Sequence, residues 1–353
     1  MNDDDIEEEK YEILPNAYNE LSITFHQLLY VISYVVIELI EVRLTYQRYF
    51  PPRLLISQFL QYVSMFIASF LTKGTINRRY FGKQKLSSLS SITLTLLDIS
   101  CDASTKISMI FANVDKIETS MGFFQIFQCL ISKICFGTKF NLMESLGIIF
   151  QTFGYIMISK SPVGEPYEPI QTQNNMMMGF ETTTWGYLFF VVALTLRCMS
   201  LTIIESLNTT IEITPQSLCR GNGSYGILIT FFYNMYIVLS KKDKIVFLSF
   251  LNLFPLILFY LLLNGIKYHN QFWLLLNTTA IENSRVTMLA MIALFYSRHI
   301  IFRREGMVYG YSSISTIGAF FTIVGFSFLS MYQKYNNDNY LILDETNDNE
   351  EVE

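Results

Sequence analysis

Apolar runs about as long as a bilayer is thick recur ten times along this chain, and that recurrence limits the fold more than any motif does. A hydrocarbon core of about 30 Å needs roughly 20 consecutive, mostly apolar residues in a helix. Runs of that kind cover residues 23–41, 53–72, 88–112, 116–136, 142–160, 184–206, 219–240, 247–277, 280–302 and 308–332. In hydrocarbon every backbone N–H and C=O needs an internal partner, so such runs are expected to be helices. The expected fold class is all-α, a polytopic membrane protein with ten transmembrane helices. Seven of the eight prolines (15, 51, 52, 162, 166, 169, 215) fall outside these runs, where residues that break helices belong. The eighth, Pro255, lies in the longest run, which is too long for one straight span and is expected to tilt or to kink there.

Charge is distributed in the same sense. Seven acids crowd residues 1–12 and seven more residues 334–353, whereas residues 13–333 hold 23 Lys and Arg against 16 Asp and Glu. The overall charge of −5 therefore describes the tails, which read as acidic, solvated and disordered segments (1–22 and 333–353). The mean hydropathy of +0.32 belongs to the apolar body. The five cysteines lack paired spacing and read as small buried hydrophobes, and the three histidines form no metal-binding pattern. No cofactor or metal is expected. No basic leader with a cleavage site precedes the first apolar run, which is expected to serve as the signal.

The longest hydrophilic connection, 161–183, divides the chain into two sets of five runs, 23–160 and 184–332. The fifth run contains GIIFQTFGYIMIS (147–159) and the tenth GAFFTIVGFSFLS (318–330). Gly147, Phe150, Gly154 and Ser159 recur as Gly318, Phe321, Gly325 and Ser330 at a constant offset of 171. Glycines seven apart share a helix face and let another backbone approach. An odd number of spans per set puts the second set into the membrane upside down, so the expected architecture is two inverted five-helix repeats. The basic loop 73–85 favours cytosolic tails.

Ionisable residues inside the runs carry the functional signal. Asp98, Asp102 and Lys106 are four apart, one face of a helix. Each charge at the bilayer centre costs about 2.5–3.5 kcal/mol on insertion scales, so this stripe is expected to face a cavity or another helix. Asp102 precedes Lys106 by one turn, the favourable order for an ion pair within a helix. Asp98 is left as the candidate proton relay. Arg197 needs a carboxylate, which Asp98 or Asp102 could supply, and Glu205 lies eight residues on. Glu38 and Glu41 close the first run; Glu118, beside Asp115 and Lys116, opens the fourth; Glu282 and Arg285 open the ninth. Acids at helix starts suit the dipole, so Asp115 and Glu118 also read as caps, whereas Arg285 there suits an anionic ligand or an acidic partner.

Several stretches resemble the drug/metabolite transporter superfamily. Residues 96–160, which begin LLDISCDASTKIS, look like its third to fifth helices, with a polar third helix, a short basic turn (FGTKF) and a Gly-x6-Gly helix. IESLNTTIEITPQSLCRGNGSYG (203–226) looks like the junction of the sixth and seventh helices, and ENSRVTM (282–288) like the start of the ninth. The pattern is nearest to F-group members of solute carrier family 35 and to chloroquine-resistance-transporter-like proteins. Where the F group shows Gln-Met-Leu-Arg-Gly, this chain has Glu118-Thr-Ser-Met-Gly122; Arg285 stands where those relatives place an arginine. FYNM (232–235) resembles the FYNN motif of nucleotide-sugar transporters, retaining Tyr233 and Asn234, but their Gly-Ala-Leu-Asn-Lys pattern is missing.

The resemblance implies a secondary transporter whose midplane cavity is lined by the third, fourth, sixth, seventh and ninth helices. The expected solute is a small polar metabolite, anionic or zwitterionic; the other partners are membrane lipid and a second copy of the chain in a homodimer, and no nucleic acid. The candidate site residues are Asp98, Asp102, Lys106, Glu118, Arg197, Glu205, Tyr233, Asn234, Glu282 and Arg285. The rival readings are a nucleotide-sugar antiporter and a non-transporting scaffold or receptor. An intramembrane aspartyl protease would need aspartates on two helices, and Asp98 and Asp102 share one; no phosphate-binding loop suggests direct ATP coupling. Tyr11-Glu-Ile-Leu14 and Tyr340-Leu-Ile-Leu343 resemble sorting signals and favour an endolysosomal, vacuolar or Golgi membrane. The sequons at Asn208, Asn222 and Asn277 would be cytosolic or intramembrane. Glycosidase treatment of the protein from a eukaryotic host should leave its electrophoretic mobility unchanged; a shift would overturn this topology.

Overall fold

A computed structural model of the chain describes residues 17–46, 55–71, 86–112, 121–137, 141–159, 182–211, 213–241, 254–302 and 314–328. Among them the regular structure is entirely helical: α1 (Ala17–Tyr46), α2 (Ile56–Leu71), α3 (Ser88–Ala112), α4 (Phe124–Phe136, entered through a 3-10 turn Met121–Phe123), α5 (Leu142–Ser159), α6 (Thr182–Ile211), α7 (Pro215–Lys241), α8 (Phe254–Asn277), α9 (Ala280–Phe302) and α10 (Ile314–Phe328). Each falls on one of the ten apolar runs. Three are long and apolar enough to cross a membrane by length and composition: Leu21–Glu41 in α1, Thr183–Ile211 in α6 and Pro215–Ser240 in α7.

The helix starts follow from local chemistry. Thr279 accepts the Glu282 N–H at 3.2 Å and Asn141 donates its N–H to the Glu144 carboxylate at 3.0 Å, two capping arrangements with an acid three residues on. Ser87 accepts from the Ser90 N–H at the start of α3. Pro215 opens α7 and Pro255 is the second residue of α8, first-turn positions where a missing N–H costs nothing. In the described helix Pro255 stands in the first turn, and residues 247–253 of the expected run lie outside the described residues. At Gly137, after α4, φ is +65° and the N–H returns to the Lys133 carbonyl, a left-handed cap that suits glycine. Helix α1 begins six residues before the expected end of the acidic tail; residues 1–16, most of the 161–183 connection and 333–353 lie outside the described residues.

Polar side chains are buried beside an apolar core, and large apolar side chains face outward. Gln58, Ser64, Thr95, Gln128, Thr230 and Asn264 are buried, while Leu21, Phe25, Leu28 and Ile32 form an exposed stripe along α1, and α7 presents Phe232, Tyr236 and Leu239 outward. Apolar outer surface on this scale marks contact with lipid rather than water. The protein is accordingly a helical membrane protein.

Cross-helix contacts give the direction of each helix. His26, Glu38 and Glu41 of α1 meet Asn270, Lys267 and Tyr260 of α8, so the two are antiparallel. Gln27 and Tyr30 meet Glu282 and Thr287 of α9, which runs parallel to α1. Glu205 and Asn208, late in α6, reach Ala280 and Leu276. Helix α6 therefore ends where α1 begins, termed the near end; α3 runs the other way, with Ala112 against Gly186.

The repeated glycines pack against each other. A Cβ at Gly318 would lie 2.6 Å from the Gly154 carbonyl oxygen, and one at Gly325 would lie 2.6 Å from that of Gly147. Gly154 is likewise closed in by Thr322, and Gly325 by Gln151. Phe150 and Phe321 stack at 5.8 Å between them. Gly318→Ala should lower stability by about 1–3 kcal/mol, the usual penalty for overpacking, read as an earlier melting temperature in detergent with secondary structure retained.

Candidate functional site

The centre of the bundle is built by α2, α3 and α6. Asp98 sits mid-α3; its Oδ1 accepts from Arg197 Nη1 of α6 at 2.8 Å, and its Oδ2 accepts from the Tyr62 hydroxyl of α2 at 2.9 Å. One turn on, Asp102 Oδ2 accepts from Gln58 Nε2 at 2.8 Å. The guanidinium and the phenol hydroxyl offset part of the cost of burying this carboxylate.

This polar floor lies between two cavities. The larger, about 180 Å³, occupies the half of the bundle toward the far end. Asp102 and Thr105 of α3, Arg197 of α6 and Lys267 of α8 line it, together with Phe124, Phe190 and Met291. The smaller, about 20 Å³, lies on the other side of Arg197 and Tyr268, which border both. Asn222 and Gln271 border it, and each has a buried side-chain oxygen without a hydrogen-bond partner. A space of that size with two such acceptors suits one water molecule, which can donate to both.

At the near end, side chains of α1, α6, α8 and α9 meet. His26 donates to the Asn270 amide oxygen and stacks on Trp273 at 3.8 Å between ring centres. Gln27 donates to Glu282 at 3.1 Å, Glu282 pairs with Arg285, and the Arg285 guanidinium sits 4.9 Å from the centre of the Phe326 ring. Glu205 accepts the Ala280 N–H at 3.1 Å, and Asn208 donates to the Leu276 carbonyl at 3.0 Å.

The ten sequence candidates therefore separate. Asp98, Asp102 and Arg197 come together at the cavity. Lys106 does not line it, and the expected in-helix pair is not formed among the described residues: Asp102 instead accepts from Gln58 of the neighbouring helix through Oδ2. Asp98 is engaged through both oxygens, which leaves Asp102 as the carboxylate with an oxygen toward the cavity. Glu205 caps α9 rather than facing Arg197. Glu282 and Arg285 pair within one turn at the near end, outside both cavities, so the arginine's acidic partner is on its own helix. Asn234 accepts the Leu55 N–H at 2.8 Å at the start of α2, and Tyr233 is exposed on the outer face. Neither contributes to the cavity. Glu118 lies outside the described residues. The four buried cysteines, 101, 129, 198 and 219, are free thiols, as expected, and Cys135 is exposed.

Sequence reasoning missed Lys267. It is buried, 4.0 Å from Glu38, with its ammonium 4.8 Å and 5.1 Å from the ring centres of Tyr34 and Tyr268. The signal was present: a lysine in the middle of the longest apolar run, LLLNGIKYHNQFW, is an intramembrane charge by position alone.

No family model and no curated protein sequence matches the chain. A protein of known crystal structure is similar in fold, with a TM-score of 0.62 at 10% identity over 89% of this chain and 98% of that one.

The Asp98–Arg197 pair yields a direct test. Arg197→Gln strands a carboxylate and should cost about 1–3 kcal/mol, toward the lower figure because the pair borders cavities. Adding Asp98→Asn should restore part of that loss, measured as a double-mutant cycle on melting temperature.

Proposed function

We propose that the chain is a secondary transporter that moves a small polar metabolite, anionic or zwitterionic, across an intracellular membrane by alternating access. In this reading ten crossing helices form two inverted five-helix repeats. The observation that carries it is the cavity bordered by Asp102, Arg197 and Lys267, open space lined by charges in the middle of a membrane protein. Intramembrane charges around a cavity are the usual mark of a solute path.

The helix pairings support the repeat. Exchanging each of the first five helices with the helix five later turns the α3–α6 contact into α8–α1, α2–α8 into α7–α3, and α1–α9 into α6–α4; all six contacts occur. The pairs α2–α7 and α4–α9 map onto themselves and also occur. The glycine seam behaves likewise, because Phe150 stacks on its own counterpart, Phe321. A site between inverted halves near mid-depth is the arrangement that lets one half rock against the other.

The nucleotide-sugar alternative loses support twice. The residues of FYNM that resemble that family's motif lie away from the cavity, and about 180 Å³ is below the roughly 300–1,000 Å³ of pockets for drug-sized ligands.

The test is flux. The full chain in proteoliposomes should take up at least one solute from a panel of amino acids, organic acids, short peptides and nucleotide sugars. Asp102→Asn should reduce that uptake at least about tenfold with the melting temperature and expression unchanged. If the unmodified protein carries nothing across that panel, the transport reading fails and a scaffold or receptor takes its place.

A further inference from the structure

We propose that the Arg197 guanidinium pivots about its bond to Asp98 between two positions. In one its free N–H groups face the larger cavity; in the other they bond the side-chain oxygens of Asn222 and Gln271 across the smaller one. The two amides are then positioning residues, which set whether the wall of the larger cavity carries this positive charge. The inference goes beyond the transport reading and holds whether or not a solute crosses.

The way Arg197 is held permits the motion. A single bond joins its Nη1 to Asp98 Oδ1 at 2.8 Å, and Tyr62 occupies the other carboxylate oxygen. A bidentate pair would fix the plane of the guanidinium, whereas a single bond leaves it free to turn about that contact. Of its five N–H donors, one is used among the described residues. The Arg197 side chain is 28% exposed at mid-bundle, against 6% for Lys267 on the lining of the same cavity. It borders open space on both sides.

The second position is marked by two acceptors with nothing to accept. Asn222 of α7 is 6% exposed and Gln271 of α8 is 3% exposed. Neither Asn222 Oδ1 nor Gln271 Oε1 has a hydrogen-bond partner among the described residues, an unfavourable condition for buried oxygens. Both residues border the space of about 20 Å³ that Arg197 and Asp98 also border. That space holds about one water, so a turn of the guanidinium displaces one molecule and takes over its hydrogen bonds. A foreign cation fits the space less well, because it would sit against the Arg197 charge in a low-dielectric interior. Arg197 brings its donors with a charge already paired.

That pairing survives the turn. Asp98 lines the smaller cavity and does not line the larger. Turning toward Asn222 and Gln271 moves Arg197 to the side on which its carboxylate lies, and no buried charge is left alone. The larger cavity changes more. Its wall holds Asp102, Arg197 and Lys267 in the first position, and Asp102 with Lys267 in the second. A two-position side chain shared by two cavities lets the state of one bias the other.

Magic-angle-spinning NMR of the full chain in lipid bilayers tests this, with labelled guanidinium nitrogens and labelled side-chain carboxylate and amide carbons. Arg197 is recognised by its contact with an aspartate carboxylate carbon, which the described residues give to no other arginine. The same guanidinium should also contact side-chain amide carbons of Asn and Gln. In the double variant Asn222→Leu, Gln271→Met those amide contacts should vanish while the aspartate contact remains. In Gln271→Glu, which offers a charged acceptor, the second position should gain at least about tenfold in population, the advantage of a charge-assisted bond over a neutral one. An Arg197 guanidinium that touches aspartate and no amide, at every temperature at which the protein is folded, overturns the proposal from the unmodified chain alone; the smaller cavity then holds water only. Amide contacts that persist in the double variant overturn it too. Flux enters none of these readouts, so failure of the transport reading leaves the result standing, and the reverse.

Discussion

A guanidinium and a carboxylate meet in the middle of this bundle, and much of its organisation follows from that contact. Neither Asp98 nor Arg197 could face lipid without a penalty of several kcal/mol. Pairing them fixes α3 against α6 at mid-depth, and the Tyr62 hydroxyl adds α2 to the same point. The pair also separates the two cavities, since Arg197 borders both. Removing either partner would leave a desolvated charge at the place where three helices are held in register.

Around that centre the two ends of the bundle are built differently. At the near end, bonds from α1 and α6 to α8 and α9 combine with the His26–Trp273 stack to fill the space between helices. On the far side of the centre lies the larger cavity, bordered by α1, α3, α4, α6, α8 and α9; there α3 approaches α6 through Ala112 and Gly186, and Tyr260 of α8 donates to Glu41 of α1. The contrast is energetic as well as spatial. Hydrogen bonds between membrane helices are individually modest, about 0.6 kcal/mol on average, so a closure made of several of them is cumulative and can be dismantled stepwise.

The fold was legible because length and hydropathy are properties of a contiguous segment. Each of the ten apolar runs holds a helix, and Thr279, Asn141 and Pro215 stand at helix starts. Inside a long apolar run Pro255 reads as a kink, whereas in α8 it stands in the first turn. The site was legible only in part. That Asp98, Asp102 and Arg197 are costly to bury is a local fact; which carboxylate Arg197 takes, and that Asp102 accepts from Gln58, depends on other helices distant in sequence. Glu205 and Asn234 carry the same ambiguity. A polar side chain within an apolar helix has to find a partner, but the sequence does not distinguish a ligand from the unsatisfied N–H of another helix's first turn, and both residues serve the latter. Lys267 was overlooked for the opposite reason, because the strong apolarity of its neighbours masked it.

The seam between α5 and α10 has a consequence for descent. Its two walls are copies of one pattern, and each glycine lies against the backbone of the other copy rather than of its own. A side chain acquired in one half is therefore resisted by the other half, and no adjustment within the altered half relieves it. Among diverging descendants of this sequence, Gly147 should drift jointly with Gly325 and Gly154 jointly with Gly318. The two stretches would then keep their likeness, because each is held to its pattern by the other.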